Sequence, residues 1–241
     1  MPVFTRDWTI SFDKKPFLMI HSINIFVHIL TGTIAIIIAL LAYSSTKGGK
    51  RHARYGRIFL WLMAIVILTA LNGVLFFRDR PFLTVVTFLA FYTSYSGYRV
   101  LKIKEIGFQL IDFLVMLLVF GIGISFVVRM ESANIVWNAK VVYYLLGYVL
   151  LIVAFDMSRY FFPNWIPLSK YWLYDHIYKM TGSFSALISA GAGTVFANYE
   201  PWNQIMPAIF GTVWLVFCLV YFPKVVRNQS TTNPKKTTIL R

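Results

Sequence analysis

Seven apolar runs, each close to the length of one membrane crossing, govern what this 241-residue chain can fold into. They fall at 20–43, 58–77, 82–98, 108–129, 139–158, 178–197 and 204–223. A hydrocarbon core about 30 Å thick is crossed by about 20 helical residues. A helix suits that solvent because it satisfies its own backbone amides. The third run is the most polar, with Thr93, Ser94 and Ser96, yet its flanks are clear. Pro81 suits a first helical turn, and Gly97-Tyr98-Arg99 forms an interfacial stop.

Composition supports lipid as the solvent. Hydrophobic residues make up 58% of the chain and charged residues 13%, against about 25% charged in an ordinary soluble domain. A soluble domain of this size would lack the polar groups to cover its surface. The expected fold is therefore all-α, a polytopic bundle of seven transmembrane helices over 20–223. An interfacial segment at 1–19 precedes it, and a basic tail at 224–241 follows.

The net charge of +14 raises the question of nucleic acid, and position argues against it. A groove binder gathers its cations on one patch or stripe. Here Lys and Arg sit between and after the apolar runs, where they orient spans and meet anionic lipid headgroups. The first connection carries Lys47, Lys50, Arg51, Arg54 and Arg57 with no acid, which assigns it to the cytoplasm under the positive-inside rule. Alternation then places Arg99, Lys102, Lys104, Arg159, Lys170, Lys179 and the tail inside, and the N-terminus outside. The aromatic-rich stretch 160–177, broken by Pro163 and Pro167, reads as an interfacial loop or short helix.

Cys218 is the only cysteine, which excludes an intrachain disulfide and cysteine-ligated zinc or iron–sulfur sites. It reads as a small packed hydrophobe. The first run is of spanning length and lacks a small-residue cleavage site, so no cleaved leader is expected.

Ionisable groups at membrane depth are costly and face protein or a water-filled cavity, so they carry the functional information. In the first run His21, Asn24, His28, Thr31, Gly32, Ala35 and Ala39 share one helical face. This face is either a packing seam or a cavity wall with a ligand-binding or proton-handling histidine. A second set gathers toward the cytoplasmic side: His52 and Arg57, Asp112, Asp156 with Arg159, and Asp175 with His176. Asp156 and Arg159 are an i,i+3 pair, and Asp175 suits the cap of the sixth helix with His176 in its first turn. Two imidazoles and the carboxylates of Asp112 and Asp156 suit a divalent metal with an open water position. Proton relay is the other chemistry, because histidine titrates near neutral pH. Bis-histidine haem is less favoured, since His28 lies toward the outside while His52 and His176 lie inside. The sixth run carries two small-residue columns, Gly182-Ala186-Ala190 and Ser185-Ser189-Gly193, which allow close helix approach.

The stretch His28-Ile-Leu-Thr-Gly32, then Lys47-Gly48-Gly49 with His52, Gly56 and Arg57, then Gly97-Tyr98-Arg99 and His176-x-x-x-Met180, resembles a family of bacterial multi-span membrane proteins to which no activity is attached. Ala53 stands where that pattern places an arginine, and Arg54 follows. The resemblance covers about residues 28–180. It implies a location in the bacterial cytoplasmic (inner) membrane and points to His28, His52, Arg57 and His176. It implies no reaction. Three functions fit the residues: a membrane enzyme with a metal-activated water, a small proton-coupled transporter, and a structural subunit of a membrane complex.

Overall fold

The computed structural model describes residues 14–77, 80–132 and 138–232. Most of the expected interfacial N-terminal segment, Arg78 and Asp79, and the end of the basic tail lie outside the described residues. Within them the chain is all-α. Seven helices follow one another: α1 (Lys14–Ser44), α2 (Lys50–Phe76), α3 (Pro81–Ile106), α4 (Leu110–Ser132), α5 (Asn138–Phe161), α6 (Leu168–Val195) and α7 (Trp202–Thr232), with a single 3-10 turn at Ala197–Tyr199 before α7.

Five of these helices, α1, α2, α4, α5 and α7, are long and apolar enough to cross a membrane. Their outer faces carry large bare hydrophobes such as Phe26, Trp61, Leu68, Leu151 and Phe210. A belt of that kind is tolerable in lipid and far beyond what a monomer exposes to water. The other two helices are more polar because they are inside. Along α3, Thr84, Thr87, Thr93, Ser94 and Ser96 are all buried. Their hydroxyls donate to the carbonyls four residues back, such as Thr87 to Leu83 and Ser96 to Tyr92, so burial leaves none of these donors unmet.

The pair α3–α6 is the centre of the bundle, and two features hold it close. The Ser94 and Ser183 hydroxyls meet at 2.6 Å, and glycines remove side chains from the crossing. A Cβ on Gly97 would stand 3.0 Å from the Lys179 Cβ and 3.1 Å from the Met180 Sδ. One on Gly193 would stand 2.9 Å from the Phe82 ring. The small-residue columns of the sixth run thus serve packing: Gly182 faces Thr93, and Ser185 faces Gly211 of α7. Cys218 is buried, as expected of a packed hydrophobe.

Two expectations are corrected here. The stretch 160–177, expected as an interfacial loop or short helix, divides: residues 168–177 are the first turns of α6, and 162–167 form the connection. Asp175 and His176 therefore lie two turns inside that helix and cap nothing. Pro167 occupies the N-cap of that helix, in extended backbone (φ −62°, ψ 121°). Residues 14–19 are continuous with α1, which begins at Lys14.

The tight connections end in glycine where the backbone requires it. Gly48 (φ 71°) and Gly107 (φ 73°) adopt the left-handed region, and the Gly107 N–H donates to Ile103 to close α3. At the first connection, Lys47 closes α1: its Nζ donates to the carbonyls of Ala42 (3.1 Å) and Tyr43 (2.5 Å) and lies 4.2 Å from the Phe222 ring centroid of α7. Those carbonyls are the orphan acceptors of a helix C-terminus, where a cation is favoured. Burial pushes the Lys47 ammonium down to about 8. Between about pH 8 and its ordinary range near 10.4 the unfolded chain holds a proton that the folded one has released, so Lys47 makes stability rise with pH across that window. Acylation of Lys47 followed by peptide mass spectrometry is expected to reach half its maximal rate near pH 8. A profile centred above pH 10 would contradict the burial of this amine.

Candidate functional site

Where α3, α5 and α6 meet, four charged side chains form one buried cluster. Asp156 and Arg159 come from α5, a turn apart, and Asp175 and Lys179 from α6, also a turn apart. These spacings put each pair on one helical face, and the two faces meet because α5 and α6 both pack on α3. Lys179 Nζ donates to Asp156 Oδ2 at 2.6 Å and to Asp175 Oδ2 at 3.1 Å. Arg159 Nη1 donates to Asp175 Oδ2 at 3.2 Å and lies 3.5 Å from Asp156 Oδ1. From α3, the Tyr92 hydroxyl donates to Asp156 Oδ2 at 2.6 Å. The side chains of Asp156, Arg159 and Lys179 are at most 2% exposed.

Two carboxylates, one ammonium and one guanidinium sum to zero charge, which is what makes their burial possible. Each ion leaves water at a cost of several kcal/mol, recovered only by close, hydrogen-bonded partners. The cluster is closed in charge but open in hydrogen bonding. Asp156 Oδ1, Arg159 Nε and Arg159 Nη2 are buried without a hydrogen-bond partner. Asp156 lies five residues before the end of α5, about 8 Å along the helix axis, so the cluster sits within one or two turns of that end of the bundle.

Asp112 is elsewhere. It takes a bidentate ion pair from Arg99 of α3, Nε to Oδ1 at 2.6 Å and Nη2 to Oδ2 at 2.7 Å. Tyr95 and the Gln109 N–H also donate to it, at 3.0 and 2.9 Å. All its acceptor positions are engaged in fastening α4 to α3, the geometry in which Arg is strongest.

His52 and His176 come close enough to act on each other electrostatically. Each ring engages a backbone carbonyl through Nδ1, His52 with Ala42 at 3.1 Å and His176 with Gly97 at 2.8 Å. A carbonyl only accepts, so both rings carry their proton on Nδ1 and keep Nε2 as an acceptor. The Gly97 carbonyl, the missing Gly97 side chain and Met180 belong to one contact, so the Gly97-Tyr98-Arg99 and His176-x-x-x-Met180 motifs meet in space as the α3–α6 crossing.

The first-run face is a seam between α1 and α2. His28 Nδ1 meets the Thr69 hydroxyl at 2.8 Å, and Asn24 Nδ2 donates to the Thr69 carbonyl at 3.0 Å. His21 lies against the Phe77 ring. His28 stands 16 residues before the end of α1, about 24 Å of helix from the end where His52 lies. Arg57 is exposed and joins no cluster.

The four residues proposed from sequence for a metal are thus divided among three places. Asp156 is in the acid–base cluster, Asp112 in the Arg99 pair, and His52 with His176 in the third. Among the described residues no three His, Cys, Asp or Glu side chains gather as a metal would require. Sequence reasoning passed over Lys179 and Tyr92. Lys179 had a signal, its i,i+4 spacing from Asp175. Tyr92 had none, because nothing in the chain tells which aromatic of an apolar run faces a carboxylate.

Comparison with protein-family models, with curated proteins and with solved structures returns no match for this chain.

Proposed function

We propose that this is a seven-span protein of the bacterial cytoplasmic membrane, N-terminus outside and basic tail inside, that works as a small proton-coupled transporter. The observation that carries the reading is Asp156: one carboxylate oxygen is shared by Lys179 and Tyr92 at 2.6 Å each, and the other has no hydrogen bond. A proton passing from Lys179 to Asp156 converts an ion pair into a neutral pair without moving a heavy atom. That exchange leaves Arg159 and Asp175, already 3.2 Å apart, as the remaining ion pair, which gives α5 and α6 two states of equal net charge. Intramembrane acid–base pairs on the inner helices of a bundle are the usual material of proton relays.

Seven spans follow if α3 and α6 cross with the rest. Both are long enough, and their polar residues face protein. The orientation rests on the cations that cluster where the first, third and fifth connections lie, with Lys47, Lys50, Arg51, Lys104 and Lys170. The resemblance to bacterial multi-span proteins favours the same location, and anionic lipid is the expected neighbour of those cations. A structural subunit is the second reading, favoured by the zero net charge of the cluster.

Reconstitution of the full chain into lipid vesicles separates the two. Proton flux into proteoliposomes is the readout: the transporter reading expects a flux through the wild-type protein that is lost in Asp156→Asn. No flux through a folded wild-type protein would leave the structural reading standing. Reporters fused after Lys50 and after Arg241 are both expected to read cytoplasmic.

A further inference from the structure

At the end of the bundle away from the acid–base cluster, α6 and α7 splay apart around an open groove of about 650 Å³. That volume falls within the range of about 300–1,000 Å³ typical of small-molecule sites. Its walls are apolar, with Phe184, Ile188 and Ala192 from α6 facing Met206, Phe210 and Trp214 from α7. Tyr199 and Trp202 stand at its mouth and are largely exposed, as aromatics are at a headgroup boundary.

Two polar side chains, Ser185 and Asn203, break this lining. Asn203 lines the groove and is 5% exposed. Its Nδ2 donates to the Gly193 carbonyl at 3.4 Å, while its Oδ1 is buried with no hydrogen-bond partner. A buried amide oxygen without a donor costs about 1–3 kcal/mol, so the position calls for a donor from outside the chain. A second feature points the same way. Four residues on is Pro207, inside α7 and also lining the groove. Proline has no N–H to give the Asn203 carbonyl, so the bond that a helix interior normally directs there is missing. The groove therefore offers acceptors and no cation at its polar end.

We infer that the α6–α7 groove binds a neutral lipid alcohol, with its chain along Ile188, Ala192 and Phe210 and its hydroxyl donating to Asn203 Oδ1. A hydroxyl suits this position better than an ammonium. It supplies the donor without the far larger cost of burying an unpaired charge. The inference does not depend on the proton-coupled reading above, since the groove and the cluster share no residue.

The test uses the full chain in lipid nanodiscs and three photoreactive probes with the same diazirine-bearing chain: a long-chain alcohol, its methyl ether and the parent alkane. The alcohol is expected to label peptides spanning 184–214 about 2- to 10-fold more than the ether or alkane, the value of one neutral hydrogen bond. Unlabelled alcohol is expected to compete. Asn203→Leu should remove the preference and keep the alkane labelling, and Ala192→Trp, which fills the groove, should remove both. Equal labelling of the wild-type chain by all three probes would overturn the proposal and leave ordinary acyl-chain contact. No labelling of the groove, with cross-links between α7 of two copies instead, would overturn it in favour of a protein occupant. Because the probe comparison is made on the wild-type chain, failure of either variant to fold does not rescue the idea.

Discussion

Lys179→Met is expected to destabilise the folded protein by about 3–5 kcal/mol, the cost of leaving one member of a buried pair without its partner. Asp156 would keep the Tyr92 hydroxyl but lose its 2.6 Å ammonium, and Asp175 would lose a 3.1 Å contact in the same step. Two carboxylates would then share the Arg159 guanidinium. The sign reverses when the second charge goes too. Asp156→Asn combined with Lys179→Met should recover most of the loss, because removing both charges takes away their desolvation cost along with the attraction and leaves Arg159 paired with Asp175. Thermal unfolding in detergent of the wild type, both single variants and the double variant measures the coupling. A loss of under about 1 kcal/mol for Lys179→Met, the range of an exposed pair, would mean that water reaches the cluster and that its charges are not held as described.

The second large effect is expected at Gly97. Even a Cβ there meets the Lys179 Cβ at 3.0 Å and the Met180 Sδ at 3.1 Å, and Leu has nowhere to extend. Gly97→Leu should cost about 1–3 kcal/mol as overpacking. It should also part the His176 ring from the Gly97 carbonyl, 2.8 Å away in the native bundle. The same fold supplies internal controls. At Gly182 an added Cβ stands 3.6 Å from Thr93, an ordinary contact, and at Gly56 nothing lies within 4 Å. Ala at either position should be close to neutral, and at Gly56 slightly favourable through helix propensity. If Gly97→Leu melts with these controls, the α3–α6 crossing is looser than its geometry implies.

What the sequence revealed of this fold, and what it hid, follows from which forces are local. Helix number is written in apolar run length, so the seven helices could be counted from residues alone. Helix ends are less legible where a span continues beyond the lipid. The start of α6 at Leu168 was hidden because Tyr171, Trp172 and Tyr174 suit a headgroup-level loop and a helical turn equally well. The polar residues were found, since a charge in an apolar run is conspicuous, but their partners were not. Asp112 and Asp156 look alike in the chain. One is bound to Arg99, 13 residues away, and the other to Lys179, 23 residues away, and only the packing of three helices makes that assignment. The face of α1 carrying Asn24 and His28 shows the converse case. Its periodicity was plain, while the choice between cavity and seam depended on Thr69 of another helix.

The burial of α3 and α6 has a consequence for how the chain enters the membrane. A translocon samples each segment as it emerges, and a Lys or Asp near a helix centre costs about 2.5–3.5 kcal/mol in that partitioning. By the time α6 is synthesised, α5 has already presented Asp156 and α3 has presented Tyr92, the groups that Lys179 requires. On the seven-span reading proposed above, insertion of α6 is an act of assembly with earlier helices, in which the ion pair forms as the segment leaves the channel. The order of the genetic message, carboxylate first and lysine second, becomes part of how the bundle is built.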